Sequence, residues 1–126
     1  MREFLGAANL ATVATLGRDG APQATVVWYL LEGELVLINT KVGRSKVRNL
    51  ARDPRVALAV FDRDDPYRSV QVRGVVSGRR EGEAAAADIH RLSRRYTGHD
   101  YRDPEGRISY LITVESWSSY GLPEVG

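Results

Sequence analysis

Three runs rich in Val, Ile, Leu and Thr follow one another between residues 9 and 40, and short glycine-containing turns separate them. The first turn contains Asp19-Gly20 and the second is Glu32-Gly33. Asp-Gly supplies the positive φ that a tight hairpin turn requires. This pattern predicts a three-stranded antiparallel meander with strands over 9–16, 23–31 and 34–40.

The remaining pattern predicts two helices and three further strands. Val47, Leu50 and Ala51 follow a helical period over 43–53, and Pro54 ends that helix. A second helix over 81–96 has its apolar stripe at Ala85, Ile89, Leu92 and Tyr96. Strands are predicted over 55–62, 67–79 and 107–115, with a bulge or bend at Gly74 in the second of these. We therefore expect one domain over residues 1–126, mainly β, in which six antiparallel strands form a closed or nearly closed barrel with two helices outside it.

Composition excludes several classes of site. The chain has no cysteine, so it has no thiolate metal site, Fe–S cluster, disulfide or cysteine nucleophile. Two histidines are too few for a zinc centre built on imidazoles, and we predict no metal site. A net charge of +2 does not by itself indicate nucleic-acid binding. No apolar run is long enough for a membrane span or a signal segment, so a cytoplasmic location is expected.

The densest charge lies at residues 41–55, where six basic residues stand against one acid, Asp53, an excess of 6 − 1 = +5. The basic residues are Lys41, Arg44, Lys46, Arg48, Arg52 and Arg55. Several of them fall at the predicted start of the first helix, where free backbone N–H groups and the helix dipole favour an anion. The segment predicts a phosphate site, and an ordinary solvated helix face explains the charge run about equally well.

Aromatic residues on the second strand leave two interpretations open. Trp28 and Tyr29 alternate in direction along the strand, so one of them can stack on a flat ring, or both can pack in a core or subunit contact. No Ser–His–Asp set, HExxH motif, P-loop or GxGxxG motif is present, and no catalytic side chain can be assigned. If the chain is an enzyme, a bound cofactor therefore supplies the chemistry.

Several segments, in order, resemble the pyridoxamine 5′-phosphate oxidase-like split-barrel superfamily, and more narrowly its branch that depends on the deazaflavin cofactor F420. They cover nearly the whole chain: Leu10 to Thr15, Gly17 to Pro22, Val26 to Tyr29, Gly43 to Leu50, Asp53 to Val56, Pro66 to Arg68, Val72 to Gly74 and Tyr120 to Pro123. The resemblance implies a six-stranded antiparallel split barrel that forms a homodimer, with each cofactor in a groove between the two subunits.

The resemblance also implies roles for individual residues. Arg44, Lys46 and Arg48 match the basic residues that hold the cofactor phosphate, and Ser45 adds a hydroxyl. Thr40 and Lys41 match the approach to the same site. The ring of the cofactor is expected to lie along Gln23, Thr25, Val27 and Trp28. Candidates for an anionic oligoglutamate tail are Arg55, Arg68, Arg79 and Arg80.

The implied activity is hydride transfer between reduced F420 and an unidentified electron-poor organic acceptor. The FMN oxidases of the superfamily carry basic residues on the second and third strands, whereas residues 23–31 contain no Arg or Lys, which favours F420 over FMN. Two alternatives stay open: an FMN-binding reductase or oxidase, and a non-catalytic protein that binds F420, flavin or haem. A basic RNA-binding barrel is disfavoured by the low net charge.

Overall fold

The computed structural model describes residues 1–122. It contains three helices and seven strands, namely α1 (Arg2–Leu5), β1 (Ala11–Leu16), β2 (Pro22–Val27), β3 (Tyr29–Glu32), β4 (Leu35–Lys41), α2 (Ser45–Arg52), β5 (Arg55–Phe61), β6 (Ser69–Glu81), α3 (Gly82–Thr97) and β7 (Arg107–Tyr120). The end of the segment Tyr120 to Pro123, which contributes to the family resemblance, lies at Pro123, outside the described residues.

All strands join one antiparallel sheet in the order β2-β1-β5-β6-β7-β4-β3. The two edge strands, β2 and β3, are consecutive in the chain, with only Trp28 between them. One bent segment therefore occupies both ends of the strand order, which is how the sheet curls into a barrel. The mainly β antiparallel fold is confirmed.

The strand count differs from the prediction. The second predicted strand, 23–31, is interrupted at Trp28, which gives seven strands instead of six. Both halves of this run are apolar or β-branched, so its sequence carries no turn residue that would reveal the break. The short helix α1 was not predicted, which brings the described helices to three instead of two. Strand β7 continues through the aromatic segment to Tyr120, beyond the predicted end at residue 115.

The predicted irregularity at Gly74 is confirmed. The register between β6 and β7 shifts between Arg73 and Gly74, as it does in a β-bulge. A Cβ atom at Gly74 would lie 2.3 Å from the backbone oxygen of Thr113. The close approach of the two backbones therefore requires glycine at this position.

Side chains that alternate along the strands fill the barrel. Val13, Leu58, Val70 and Ile112 are among its buried residues. Helix α3 packs outside the barrel against β7, β6 and β4, and its predicted stripe is confirmed, since Ala85, Ile89 and Leu92 are buried and Tyr96 is partly buried. None of the helices within residues 1–122 has the length and apolarity needed to cross a membrane.

Candidate functional site

A cavity of about 310 Å³ opens where the ends of β2 and β4, the start of α2 and the start of β7 meet. Its lining combines basic residues with apolar and aromatic ones. The residues that line this basic cavity are Leu10, Val26, Val27, Trp28, Asn39, Thr40, Arg44, Lys46, Ile89, Leu92, Tyr101 and Arg107. A smaller cavity of about 250 Å³ shares Val26, Thr40, Arg44 and Lys46 with it, and is otherwise lined by Gln23, Thr25 and Ser45. This side cavity continues the site along β2.

Helix α2 positions the basic residues through an unexpected buried face. Its buried residues are Lys46, Asn49 and Leu50, whereas Ala51, which fits the predicted apolar period, is exposed. Asn49 explains the difference, because its amide Nδ2 donates to Thr15 Oγ1 at 3.0 Å and to Gln23 Oε1 at 3.3 Å. These two bonds dock the helix on β1 and β2 through polar contacts and turn Lys46 toward the cavities.

Lys46 is a largely buried residue whose charged end opens to the cavities and has no counter-ion among residues 1–122. Only 9% of the residue is exposed, and within residues 1–122 its ammonium group has neither a hydrogen-bond acceptor nor an ion-pair partner. Burial lowers the pKa of Lys46 from its ordinary value, and the nearby charges of Arg44 and Arg107 lower it further. A charge that has lost part of its hydration is destabilising unless it is paired. The arrangement therefore favours an anionic ligand that would complete it.

Arg107 contributes a third cation to the same cavity. Its Nε donates to Asn39 Oδ1 at 2.9 Å, and its guanidinium carbon lies 5.0 Å from the centre of the Tyr101 ring. Burial lowers the pKa of Arg107 from its ordinary value. Arginine stays protonated in proteins, so Arg44, Lys46 and Arg107 together present positive charge to one small volume.

An aromatic cluster adjoins these cations in the cavity lining. The rings of Trp28 and Tyr96 are stacked, with centroids 5.4 Å apart and planes 6° from parallel. Tyr101 meets Trp28 edge-on at 6.2 Å, and the backbone N–H of Tyr101 donates to His90 Nδ1 at 3.1 Å. The stacked pair fixes the orientation of the Trp28 side chain at the cavity wall.

The two cavities bring together most of the residues that the sequence singled out. These are Gln23, Thr25, Val27, Trp28, Thr40, Arg44, Ser45 and Lys46. Two predicted residues lie outside both linings. Lys41 pairs with Asp103. Arg48 donates to Gly43 O at 2.9 Å and to Ser45 Oγ at 3.2 Å, and so braces the turn into α2.

Sequence reasoning assigned no site role to three of the polar lining residues, namely Asn39, Tyr101 and Arg107. Arg107 follows a polar loop, far along the chain from the basic segment, and reaches the cavity because it is the partner of Lys41 in the β4–β7 pair. Only the pairing of the last strand with β4 could have identified it. Tyr101 belongs to the loop before β7, where the sequence has no periodic pattern.

The four arginines considered for an oligoglutamate tail each have an acidic partner in the chain. The ion pairs are Arg55–Asp53 at 2.7 Å, Arg68–Asp62 at 2.7 Å, Arg79–Glu81 at 2.6 Å and Arg80–Glu32 at 2.5 Å. Their charges are thus largely balanced within the chain, in contrast to that of Lys46.

Residues 1–121 match the family model of pyridoxamine 5′-phosphate oxidase. The chain belongs to this family. It is 35% identical over 88 residues to a pyridoxine/pyridoxamine 5′-phosphate oxidase of Kineococcus radiotolerans, a match that spans 70% of this chain and only 38% of that protein.

Two solved structures with a similar fold support membership of this family. An F420 reductase superposes with a TM-score of 0.84 and 29% identity, over 93% of this chain and 94% of that one. A haem-binding protein from Mycobacterium smegmatis gives a TM-score of 0.66 and 28% identity, over 91% of this chain and 50% of that one. The predicted resemblance to the split-barrel superfamily and its F420 branch is confirmed by these likenesses.

Proposed function

We propose that the protein is an F420-dependent oxidoreductase that moves a hydride between reduced F420 and an electron-poor organic acceptor. The observation that carries the proposal is the buried and unpartnered Lys46, which lines one cavity together with Arg44 and Arg107. Reduced F420 supplies a hydride as an obligate two-electron donor. The similarity in fold and sequence to an F420 reductase supports the choice of this cofactor.

The residues of the site fit an anionic cofactor with a flat ring. Three cations suit a phosphate group, because charge-assisted hydrogen bonds to phosphate oxygens are among the strongest in proteins. The apolar and aromatic wall formed by Val27, Trp28 and Tyr101 suits the edge or face of a conjugated ring. Thr40 and Ser45 add hydroxyls beside the cations. The chain's part is then to bind, orient and shield the cofactor.

The acceptor belongs on the open side of the cavity, and the proposal assigns no catalytic acid. The phenol of Tyr101 also lines the basic cavity. The Tyr101 ring contacts Arg107 and so helps to position the Arg107 guanidinium.

A homodimer is part of the proposal, and the outer face of β2, β1 and β5 supports it. Directly paired residues share a face of a sheet, and Val26, Thr12 and Ala59 are paired in sequence across these three strands. All three are exposed, as is Phe61 on the same strand face as Ala59. A flat face of small and apolar side chains suits close packing against a second copy. Val26 also lines both cavities, so a subunit packed on this face would border the cofactor site.

Haem is a second candidate ligand, because the chain resembles a haem-binding protein at 28% identity. The described residues that line the basic cavity include no histidine or methionine, and Tyr101 is the one lining side chain of a type that ligates haem iron. The three cations would suit the propionate carboxylates of haem as well as a phosphate group, so they do not distinguish the two ligands. We rank haem, and with it a non-catalytic role, below F420, because the F420 reductase superposes with a TM-score of 0.84 and the haem-binding protein with 0.66.

The decisive experiment is a titration of the purified, cofactor-stripped protein with F420, FMN and haem in separate series. Binding is measured by fluorescence. We expect F420 to bind with a micromolar or lower dissociation constant and FMN to bind more weakly. A preference for FMN would replace the deazaflavin chemistry with flavin chemistry on the same fold. Binding of haem alone would overturn the proposal and favour the non-catalytic role.

A further inference from the structure

A chain of hydrogen bonds leads from the basic cavity to a buried carboxylate beneath α3. Arg107 Nε donates to Asn39 Oδ1 at 2.9 Å, and Asn39 Nδ2 donates to Ser109 Oγ at 2.9 Å. The hydroxyl of Ser109 then donates to Asp88 Oδ2 at 2.7 Å. All three hydrogen bonds run in the same direction, because each donor lies on the Arg107 side and each acceptor on the Asp88 side.

The carboxylate determines this direction. Asp88 is 3% exposed and receives Nη1 of both Arg80 and Arg91 at 3.2 Å, so its oxygens act as acceptors. Ser109 has a single hydroxyl hydrogen, and once it is donated to Asp88 the oxygen of Ser109 can only accept. Asn39 must therefore turn its NH₂ group toward Ser109.

A second acceptor fixes the same orientation of Asn39. Its Nδ2 also donates to the backbone oxygen of Ala85 in α3, at 3.1 Å. With both hydrogens of the amide committed, its carbonyl oxygen faces Arg107. Asn39 and Ser109 are both buried, with Ser109 at 0% exposure, so water cannot readily substitute for a missing link.

The consequence at the cavity is a preoriented guanidinium. Arginine has many rotamers, and a side chain that is already held in place loses less conformational entropy when a ligand binds. Asn39 holds Nε of Arg107, while the guanidinium plane lies near the Tyr101 ring. The remaining N–H groups of Arg107 are thereby left for an anion.

We propose that Asp88 and Ser109 are positioning residues that act through Asn39 to hold Arg107 toward the cavity, and so set anion affinity without touching the ligand. This inference rests on the proposed function in that F420 is the anion used to measure it. Neither Asp88 nor Ser109 lines the basic cavity or the side cavity.

A double-mutant cycle tests the proposal, with F420 as the probe and its dissociation constant as the readout. Ser109→Ala removes the hydroxyl that links Asp88 to Asn39. We expect it to weaken F420 binding about threefold to tenfold, the effect of one hydrogen bond. In an Arg107→Ala background the same substitution should change the affinity by less than about 1.5-fold, because its effect passes through Arg107.

Glu32→Gln is the matched control. Glu32 forms ion pairs with Arg80 and Arg91, so the substitution disturbs these ion pairs. It leaves the hydrogen bonds that connect Asp88 to Arg107 intact. We expect it to lower the thermal unfolding temperature without changing F420 affinity. A purely structural role for Ser109 would instead make Ser109→Ala behave like Glu32→Gln.

A second readout needs no cofactor. In ¹H–¹⁵N spectra of the wild-type protein, the Nε–H of Arg107 should exchange slowly with water, and Ser109→Ala should accelerate that exchange whereas Glu32→Gln should not. Equal losses of F420 affinity from Ser109→Ala in both backgrounds, or unchanged Nε–H exchange, would overturn the inference. If the wild-type protein does not bind F420, the proposed function fails, and the exchange measurement alone decides the positioning role.

Discussion

Lys41 and Arg107 are directly opposite each other in the β4–β7 pair, yet only Arg107 lines the basic cavity. Lys41 instead forms an ion pair with Asp103 in the loop that precedes β7. Two cations at one register position thus differ in role. Lys41 holds the loop before β7 through its ion pair, and Arg107 presents positive charge to the site.

This pair gives a direct test of the site assignment. Arg107→Ala should weaken F420 binding by about 1.5–3 kcal/mol, the range for hydrogen bonds to charged groups. Lys41→Ala should cost less than about 1 kcal/mol, because it removes a surface ion pair outside the cavity. Both affinities can be measured by fluorescence titration. A larger loss for Lys41→Ala than for Arg107→Ala would restore the assignment predicted from sequence and place the anion at the β4 end.

Lys46 should stabilise the complex and destabilise the cofactor-free protein. Lys46→Met keeps most of the buried aliphatic stem and removes a partly desolvated charge that has no partner among residues 1–122. We expect the free energy of unfolding without cofactor to rise by about 1 kcal/mol. F420 affinity should fall by about 1.5–3 kcal/mol. Urea unfolding and fluorescence titration give the two values.

Arg18→Ala is the charge-matched control for this test. Arg18 is exposed in the turn between β1 and β2 and lines neither cavity, so the substitution removes the same charge outside the site. It should leave F420 affinity unchanged. A comparable loss of affinity in Arg18→Ala would mean that overall charge, and not the local site, attracts the cofactor.

The lowered pKa of Lys46 predicts a pH dependence with a definite sign. Between this lowered pKa and the ordinary lysine value, the unfolded chain binds more protons than the folded one, so the stability of the cofactor-free protein rises with pH there. The stability advantage of Lys46→Met over wild type should therefore shrink as pH rises through this window. F420 affinity of the wild type should fall over the same range, because the neutral amine no longer attracts the anion.

Paired measurements separate this effect from other titrations. Unfolding and binding curves for wild type and Lys46→Met are recorded at matched alkaline pH values, and only the differences are interpreted. A difference in stability that stays constant with pH would show that Lys46 has an ordinary pKa.

Local patterns in the sequence predicted most of the fold. The Asp19-Gly20 turn, the Pro54 stop and the apolar stripe at Ala85, Ile89 and Leu92 are short-range signals, and the elements they define are present. The break at Trp28 was not predictable in this way. It follows from curling of the whole sheet, which no residue near Trp28 encodes.

The site shows the same division. Arg44 and Lys46 could be found because they lie close together in sequence at the start of a helix. The direction in which Lys46 points depends on Asn49, whose partners Thr15 and Gln23 come from two distant strands. Arg107 reaches the cavity only through pairing of the last strand with β4. Tertiary contacts, and not local pattern, therefore decide which basic residues form the site.

Two glycines in β6 provide a matched test of the bulge. Gly74→Ala should destabilise the protein by about 2–3 kcal/mol, because the new Cβ would lie 2.3 Å from the Thr113 backbone oxygen. Gly78→Ala should cost less, since its nearest neighbour is a movable Leu111 methyl group at 3.1 Å. Urea unfolding of the two variants checks the order. A smaller loss at Gly74 would indicate that the β6–β7 register can shift to accept a side chain.

The proposed dimer face on β2, β1 and β5 can be tested by introducing a charge into it. Ala59 is exposed on β5, and its paired neighbour Thr12 is exposed on β1, with no charged side chain at either position. Ala59→Arg would place a long cation on this face, where a second copy could not cover it without burying an unpaired charge. We expect sedimentation to give twice the monomer mass for wild type and a monomer for Ala59→Arg. The control is Ala87→Arg, an exposed position on α3 outside this face, which should remain dimeric.

If the dimer face completes the cofactor groove, Ala59→Arg should also lose F420 affinity while its thermal unfolding stays cooperative. A monomeric Ala59→Arg variant that binds F420 as tightly as wild type would place the whole cofactor site within one chain.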